Sequence, residues 1–290
     1  MRNKNKIAKA DLILTGDWHL QEKTPVARTD NFIETQWKKV KFIADLSEQH
    51  DCAVVHSGDL FDHWKPSPEL LSRCNLYLPR QFWTVYGNHD LPQHNLELVP
   101  KCGVYTLHTG ERINVLTDTH FGKELTECSF TWKDRQIAVW HVFTYQGKVP
   151  WPGCEAMDSK SLMKKYREYD LILTGDNHQT FVEERRGRLL VNPGSIFRTS
   201  AAQIDHKPCV FLYYAETNTI EPVYLPIEQG VISREHIERK EQRESRIDAF
   251  ISSLNTEYES DVNFLGNLKR FYSKNKTKKE VKELILKFID

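Results

Sequence analysis

The chain has 290 residues, which is enough for one large domain with an appendage or for two domains. Its 40 basic and 40 acidic side chains give a formal net charge of zero, which excludes attraction to nucleic acid through a protein-wide positive field. Six dispersed cysteines without a Cys-x-x-Cys pair argue against a zinc knuckle and indicate reduced thiols. No stretch approaches a membrane span and no secretory signal is evident, so we expect a cytoplasmic protein without membrane contact.

The first part of the chain alternates short apolar runs with helical patterns. Strands are predicted at residues 12–14, 53–56 and 82–86, and helices at 31–49 and 67–78, the second capped by Ser67 with Pro68 in its first turn. Residues 103–135 are expected to be mainly strands and loops. Further strands are predicted at 113–116, 137–140, 171–173 and 189–191, followed by a hairpin at 210–225.

The composition changes near residue 229, where Glu, Lys and Arg become frequent. Apolar residues then recur at helical spacing in two places, at 247–254 and 281–288, which predicts helices with one apolar face. We therefore expect a core domain over residues 1–228 and a helical tail over 229–290.

One sequence motif occurs twice, as DLILTGDWH at residues 11–19 and as DLILTGDNH at residues 170–178. Each copy is a short apolar run followed by Gly-Asp-x-His, so each is predicted to deliver a carboxylate and an imidazole just past the end of a buried strand. Open sheets build their sites there. Carboxylate and imidazole together are ligands for a transition metal, so the repeat predicts two strands directed at one metal centre.

Five segments in all follow predicted strands and carry potential ligands. They are Gly16-Asp17-Trp18-His19, Gly58-Asp59-Leu60-Phe61-Asp62, Gly87-Asn88-His89-Asp90, His141, and Gly175-Asp176-Asn177-His178. Each segment alone is a plausible turn, since Gly, Asn and Asp tolerate positive φ. All five together, each after a strand, favour a metal site.

Hydrolysis of a phosphate ester explains these residue types, because two divalent ions about 3.5–4 Å apart stabilise the phosphoryl charge and provide hydroxide at neutral pH. One carboxylate must bridge the ions, and we assign Asp59 to that role. The first ion would be held by Asp17, His19 and His178, and the second by Asn88, His141 and Asp176. Nitrogen and oxygen ligands without thiolate suit Mn²⁺, Fe²⁺ or Zn²⁺. His89 would then be free to stabilise the transition state or to protonate the leaving oxygen.

The five segments resemble the motifs of the calcineurin-like metallophosphoesterases, D-x-H, G-D-x-x-D, G-N-H-[DE], a lone H and G-H-x-H. More closely, SGDLFDHWKPS and VYGNHD look like the nuclease subunit of the SbcC–SbcD type of DNA-repair complex, a group that includes phage recombination endonucleases. The resemblance implies a four-layer α-β-β-α sandwich with a C-terminal helical extension. It also implies the ligands Asp17, His19, Asp59, Asn88, His141 and His178 and the catalytic His89.

The same resemblance implies a DNA exo- or endonuclease in a bacterial or phage-infected cell, with two divalent ions, Mn²⁺ first and Mg²⁺, Fe²⁺ or Zn²⁺ as alternatives. Its partners would be DNA and an SMC-like ATPase of the SbcC type, which would dock on the C-terminal helices. A homodimer is compatible with the sequence. His63 and Arg198 are candidates for contact with the DNA, with an exposed loop or a solvated hairpin face as the alternative for each.

Two features depart from the family pattern. Asp176 occupies a histidine position of G-H-x-H, where it would either ligate through oxygen, favouring harder ions such as Mn²⁺, or weaken the second ion. The tail is also shorter than the family's capping and docking regions. Two other functions therefore stay open, a stand-alone phosphatase or small-molecule phosphodiesterase, and a non-catalytic scaffold for the ATPase.

Overall fold

A computed structural model describes residues 9–116, 129–154, 156–257 and 264–288, apart from the side chains of residue 236 and of residues 252–257. The chain divides into two compact units, Met1–Ser233 and Arg234–Asp290. The division falls slightly after the boundary expected at residue 228. The connecting residues belong to the first unit because the backbone N–H of Ser233 donates to the Ala27 carbonyl and Arg28 forms a β-bridge with Ile232.

The first unit contains strands throughout its described length. They are β1 (Leu12–Thr15), β2 (Ala53–His56), β3 (Phe82–Thr84), β4 (Asn114–Val115), β5 (Ser129–Trp132), β6 (Arg135–Trp140), β7 (Thr144–Tyr145), β8 (Met157–Asp158), β9 (Leu171–Thr174), β10 (Phe181–Arg185), β11 (Arg188–Asn192), β12 (Cys209–Tyr214) and β13 (Thr219–Tyr224). Its α-helices are α1 (Phe32–His50), α2 (Pro68–Tyr77), α3 (Gly103–Thr109) and α4 (Ser159–Lys165). Short 3₁₀ turns occupy Pro92–His94, Leu96–Lys101 and Ala201–Gln203.

Two mixed sheets form the centre of this unit. The first has the order β13-β12-β1-β2-β3-β4, with β1 to β4 parallel, and the second has the order β10-β11-β9-β6-β5, with β6, β9 and β11 parallel. The strands β7 and β8 form a separate parallel pair. Both copies of the sequence LILT, in β1 and β9, are buried along their full length, as expected for central parallel strands.

The two sheets pack face to face with helices outside them. Alternate residues of β1 show this arrangement, because Leu12 and Leu14 join the apolar cluster shared with the second sheet, whereas Ile13 joins the cluster formed with α1, α2 and α3. The helix α4 packs against the second sheet through Leu162 and Met163. This is the four-layer α/β sandwich that the resemblance implied, and the prediction is confirmed.

Residues 103–109 correct one expectation, because they form the helix α3 and not strands or loops. Cys102 caps the helix, its Sγ accepting from the backbone N–H of Tyr105, and Val104 and Leu107 bury one face. Residues 117–128 of the same section lie outside the described residues. The five described cysteines are free thiols.

The second unit is helical, as expected for the tail. It comprises α5 (Glu235–Glu257), α6 (Phe264–Lys274) and α7 (Lys279–Leu286). In the part of the chain that the structure describes, no helix has the length and apolar character needed to cross a membrane.

Candidate metal centre

The polar segments predicted from the sequence follow strands of both sheets. Asp17 and His19 follow β1, Asp59 follows β2, and His141 follows β6. Asn88 and His89 come soon after β3, and Asp176 and His178 follow β9. Because β1, β2 and β3 run parallel in one sheet and β6 and β9 run parallel in the other, the carboxyl ends of both groups meet along one edge of the sandwich.

Glycines and left-handed backbone bring these loops into close approach. Asp17, Asp59 and Asp176 have φ values of 50°, 58° and 68°, in the region that Asp adopts more readily than most residues. A Cβ on Gly87 would lie 2.0 Å from Asp59 Oδ1, and one on Gly58 would lie 2.7 Å from the ring of His141. A glycine before a ligand is therefore a steric requirement at these positions.

The first group of potential ligands consists of Asp17, His19 and His178, whose ligand atoms all lie within 4.8 Å of one another. The Nε2 atoms of His19 and His178 are 3.0 Å apart. Asp17 Oδ1 accepts a hydrogen bond from the backbone N–H of Asp176 at 2.9 Å, but its buried Oδ2 has no partner among the described residues. A buried carboxylate oxygen without a partner is costly unless a cation binds there.

The second group contains Asp17, Asp59 and His141, again within 4.8 Å. Asn88 Oδ1 lies 2.9 Å from His141 Nε2, and Asp176 Oδ1 lies 3.9 Å from the same nitrogen. Asp59 Oδ2 is 3.3 Å from His141 Nε2 and 3.5 Å from His19 Nε2. This carboxylate therefore lies between the two groups, which is the position that a bridging ligand requires.

The charges in the site are strongly coupled. Burial raises the pKa of Asp17 to about 7 and lowers the pKa of His19 to about 3. Burial also opposes ionisation of both Asp59 and His141, but the attraction between these two close groups outweighs burial. This attraction lowers the pKa of Asp59 below its usual range and raises the pKa of His141 to about 10. The imidazole of His141 therefore stabilises the carboxylate of Asp59, whereas the carboxylate of Asp17 stays destabilised by its burial.

His89 is exposed at the rim of the site. Its Nδ1 lies 2.8 Å from the Asp62 carbonyl oxygen, and its backbone N–H donates to Asp59 Oδ1 at 2.9 Å. The carbonyl contact orients the imidazole and leaves Nε2 as the nitrogen that can meet a substrate. Burial lowers the pKa of His89, but Asp59 and the Asp62 carbonyl outweigh it and the net shift is upward.

Two aspartates were named in the motifs without a role. Asp62 forms a third group of potential ligands with His19 and His89, its Oδ1 lying 3.8 Å from His19 Nδ1. Asp90 is buried and accepts hydrogen bonds from the backbone N–H groups of Leu60, Phe61 and Gly87 at 3.0–3.2 Å. It therefore ties the second ligand loop to the third. The only signal for either residue was its place in G-D-x-x-D or G-N-H-D.

The two candidates for DNA contact lie in different environments. His63 is exposed beside the site, where its ring packs on Trp64 and its Nδ1 accepts from the backbone N–H of Lys65. Arg198 is buried, with only 4% of its surface exposed, and its guanidinium donates to the carbonyls of Ile204 and Glu228. This placement does not fit the predicted DNA contact of Arg198, because its terminal nitrogens are engaged inside the protein.

The donor set fits divalent ions. It combines carboxylate oxygens, one carboxamide oxygen and imidazole nitrogens without thiolate, and it contains the unpartnered Oδ2 of Asp17. Hard and borderline cations such as Mn²⁺, Fe²⁺ and Zn²⁺ take such ligands.

Several solved structures resemble the chain at low sequence identity. An archaeal phosphodiesterase is 16% identical with a TM-score of 0.43 and covers 74% of this chain and 99% of its own. Vps29 from Entamoeba histolytica, complexed with Zn²⁺, is 12% identical with a TM-score of 0.34, over 74% of this chain and 97% of its own. Vps29 from Cryptosporidium parvum is 16% identical with a TM-score of 0.37, over 75% and 99%. No curated protein matches the chain.

A family match covers the whole site. The family model of the calcineurin-like phosphoesterase superfamily domain matches residues 11–216. These residues include all five ligand segments and most of both sheets. Divalent metals are the cofactors of this superfamily, in agreement with the grouped carboxylates and imidazoles described above. The chain belongs to the calcineurin-like phosphoesterase superfamily.

Proposed function

We propose that this protein is a metal-dependent DNA nuclease, the exo- or endonuclease subunit of an SbcC–SbcD-like recombination or repair complex. The observation that carries the hydrolytic chemistry is the position of Asp59 Oδ2 between the imidazoles of His19 and His141. The choice of DNA as substrate is supported by the resemblance of SGDLFDHWKPS and VYGNHD to that nuclease subgroup.

Seven side chains would hold two divalent ions, with Mn²⁺ as the first expectation. They are Asp17, His19 and His178 for one ion, Asn88, His141 and Asp176 for the other, and Asp59 for both. Such a pair of ions, when bound, supplies charge neutralisation at the phosphoryl oxygens and hydroxide at neutral pH.

His89 completes the reaction from the rim of the site. A water-derived oxygen forms a new bond to phosphorus, the bond to the leaving oxygen breaks, and His89 donates a proton to that oxygen. The Asp62 carbonyl fixes the ring, and Asp90 keeps the loop of Asn88 and His89 against the loop of Asp59. No covalent intermediate with the protein is required.

The test is cleavage of end-labelled single- and double-stranded DNA with Mn²⁺, comparing wild type with His89→Ala. We expect at least a 100-fold loss of rate in the variant, the usual range for a general acid, with an unchanged melting temperature as the control for folding. Equal rates would contradict the role of His89. Cleavage of bis(p-nitrophenyl) phosphate but not of DNA would identify a small-molecule phosphodiesterase, and one ion per chain without turnover would identify a scaffold.

We further propose that the tail docks on the coiled coil of an SMC-like ATPase. Apolar side chains remain exposed on its helices, including Phe264 on α6 and Leu284 on α7. Within this unit, an apolar groove of about 700 Å³ is lined by residues that include Phe271 and Val281. Such a groove suits an amphipathic helix. Phe264→Asp should abolish co-purification with the candidate ATPase, whereas Lys269→Asp on the same helix should not. Equal co-purification of both variants would contradict the proposal.

A further inference from the structure

A groove of about 680 Å³ adjoins the metal centre in the first unit. His178, a predicted metal ligand, forms part of its wall, so the groove is continuous with the ligand set. Four aromatic rings also line it, those of Phe143, Tyr145, Trp151 and Phe181. The volume lies within the range of sites for small ligands.

The chemistry of this groove differs from that of the metal centre. Among the described residues that line it, none carries a carboxylate, and its polar groups are carboxamides, hydroxyls, two histidines and Lys148. The metal centre beside it contains the carboxylates of Asp17, Asp59 and Asp176. The carboxylates suit cations that would bind the phosphate, and the aromatic rings of the groove suit a flat group attached to that phosphate.

The loop that carries the aromatic rings is anchored while one ring stays uncovered. Gln146 Nε2 donates to the Val182 carbonyl at 2.8 Å, and Asn177 Nδ2 donates to the Thr144 carbonyl at 2.6 Å. The ring of Trp151 meets the ring of Phe143 edge to face at 5.3 Å, yet 51% of Trp151 is exposed. A large aromatic surface is thus presented to solvent beside the metal centre.

We propose that this groove binds the base of an unpaired nucleotide next to the scissile phosphate, with Trp151 as its stacking platform. The inference rests on the proposed nuclease function and deepens it by naming a single-stranded end as the substrate. Aromatic side chains stack on bases whose faces are free, whereas in an intact duplex neighbouring base pairs cover those faces. The position of the groove beside His178, a predicted ligand of the metal centre, favours a base attached to the bound phosphate over a protein partner.

The experiment measures binding of a labelled oligothymidylate and of an abasic strand of equal length to full-length protein carrying His89→Asn, with Mn²⁺ present. We expect tighter binding of the oligothymidylate, by roughly 5- to 100-fold for one stacked base. Trp151→Ala should remove this preference without changing affinity for the abasic strand, and Trp151→Phe should retain most of it. Val149→Ala is the matched control, because Val149 is equally exposed in the same loop but does not line the groove.

Equal affinity for the two strands, or a preference that persists in Trp151→Ala, would overturn the inference. KM values for cleavage of the same strands, measured with His89 intact, test independently whether the base contributes to binding and whether Trp151 is required for that contribution. If wild type cleaves DNA without any base preference, only the groove assignment fails. If it cleaves no DNA at all, the proposed function fails and the groove assignment fails with it.

Discussion

The two copies of LILTGD form the same local elements in different surroundings. Each forms a buried strand followed by a glycine and an aspartate of positive φ, Asp17 after β1 and Asp176 after β9. The side chain of Asp17 is completely buried, and one of its oxygens has no partner among the described residues. The side chain of Asp176 is 29% exposed and reaches His141 only at 3.9 Å. Identical local sequence therefore sets the turn, and the packing around it sets the chemistry.

The largest expected effect comes from removing each carboxylate in turn. Asp17→Asn should lower the proposed Mn²⁺-dependent phosphodiester cleavage by about 1000-fold, because it removes the negative charge of a buried ligand whose Oδ2 has no other partner among the described residues. Asp176→Asn should lower it by only about 10-fold, since an amide oxygen can still ligate at the exposed edge of the second group. The measurement is the cleavage rate of each variant at saturating Mn²⁺ relative to wild type. Equal losses in the two variants would contradict a different role for the two aspartates.

The second effect is on stability without metal. Burial raises the pKa of Asp17 from 3.8 to about 7, so between these pH values the folded protein binds more protons than the unfolded chain. Wild type should therefore lose stability relative to Asp17→Asn as the pH rises through this window, by at most about 1.4 kcal/mol per pH unit. Melting curves in EDTA at each pH measure the difference in stability between wild type and Asp17→Asn, with Asp176→Asn as the control variant. A difference independent of pH would show that burial does not raise the pKa of this carboxyl group.

The third effect separates the two glycines before these aspartates. A Cβ on Gly16 would lie 2.1 Å from Ser57 Oγ, whereas one on Gly175 would lie 2.8 Å from both the Ser57 carbonyl oxygen and the ring of His141. Either Gly→Ala change should cost about 2 kcal/mol of unfolding free energy. Adding Ser57→Ala should recover at least half of the loss for Gly16→Ala but little for Gly175→Ala, because backbone and ring remain in place. Denaturant unfolding of the double variants tests this, and equal recovery would contradict it.

The smallest effect concerns metal preference. Asp176→His restores the G-H-x-H pattern and adds a nitrogen donor, so activity should change by no more than about threefold while the ratio of Zn²⁺-supported to Mn²⁺-supported rates rises. Asp176→Asn should not raise that ratio. An unchanged ratio in the histidine variant would show that this side chain does not contact the second ion.

Much of this arrangement could be predicted because the same sequence pattern marks both a strand and the ligands that follow it. Each apolar run that ends in Gly-Asp or Gly-Asn forms a strand, and the parallel order of those strands brings their ends together. The helix at Gly103–Thr109 was missed because its short pattern starts at glycine and its cap is a cysteine, a weak signal. The strand Phe181–Arg185 was also missed, since this edge strand has only two apolar residues followed by three charged ones.

The surroundings of single side chains were less predictable. Arg198 follows β11 in sequence, but its guanidinium binds the carbonyls of Ile204 and Glu228, which only the folded chain brings together. The groove near His178 likewise combines residues 143–151, 177–181 and 200–206. Neither spacing nor composition links these segments, so the sequence offered no signal for them.

The hydrogen bond from the Asp176 backbone to Asp17 joins residues 159 positions apart in the chain. Since Asp17 is oriented by a group in the opposite sheet, the first three ligand loops alone cannot complete the site. A nascent chain can therefore assemble the complete ligand set only after the segment up to residue 178 has been synthesised and has docked beside Asp17.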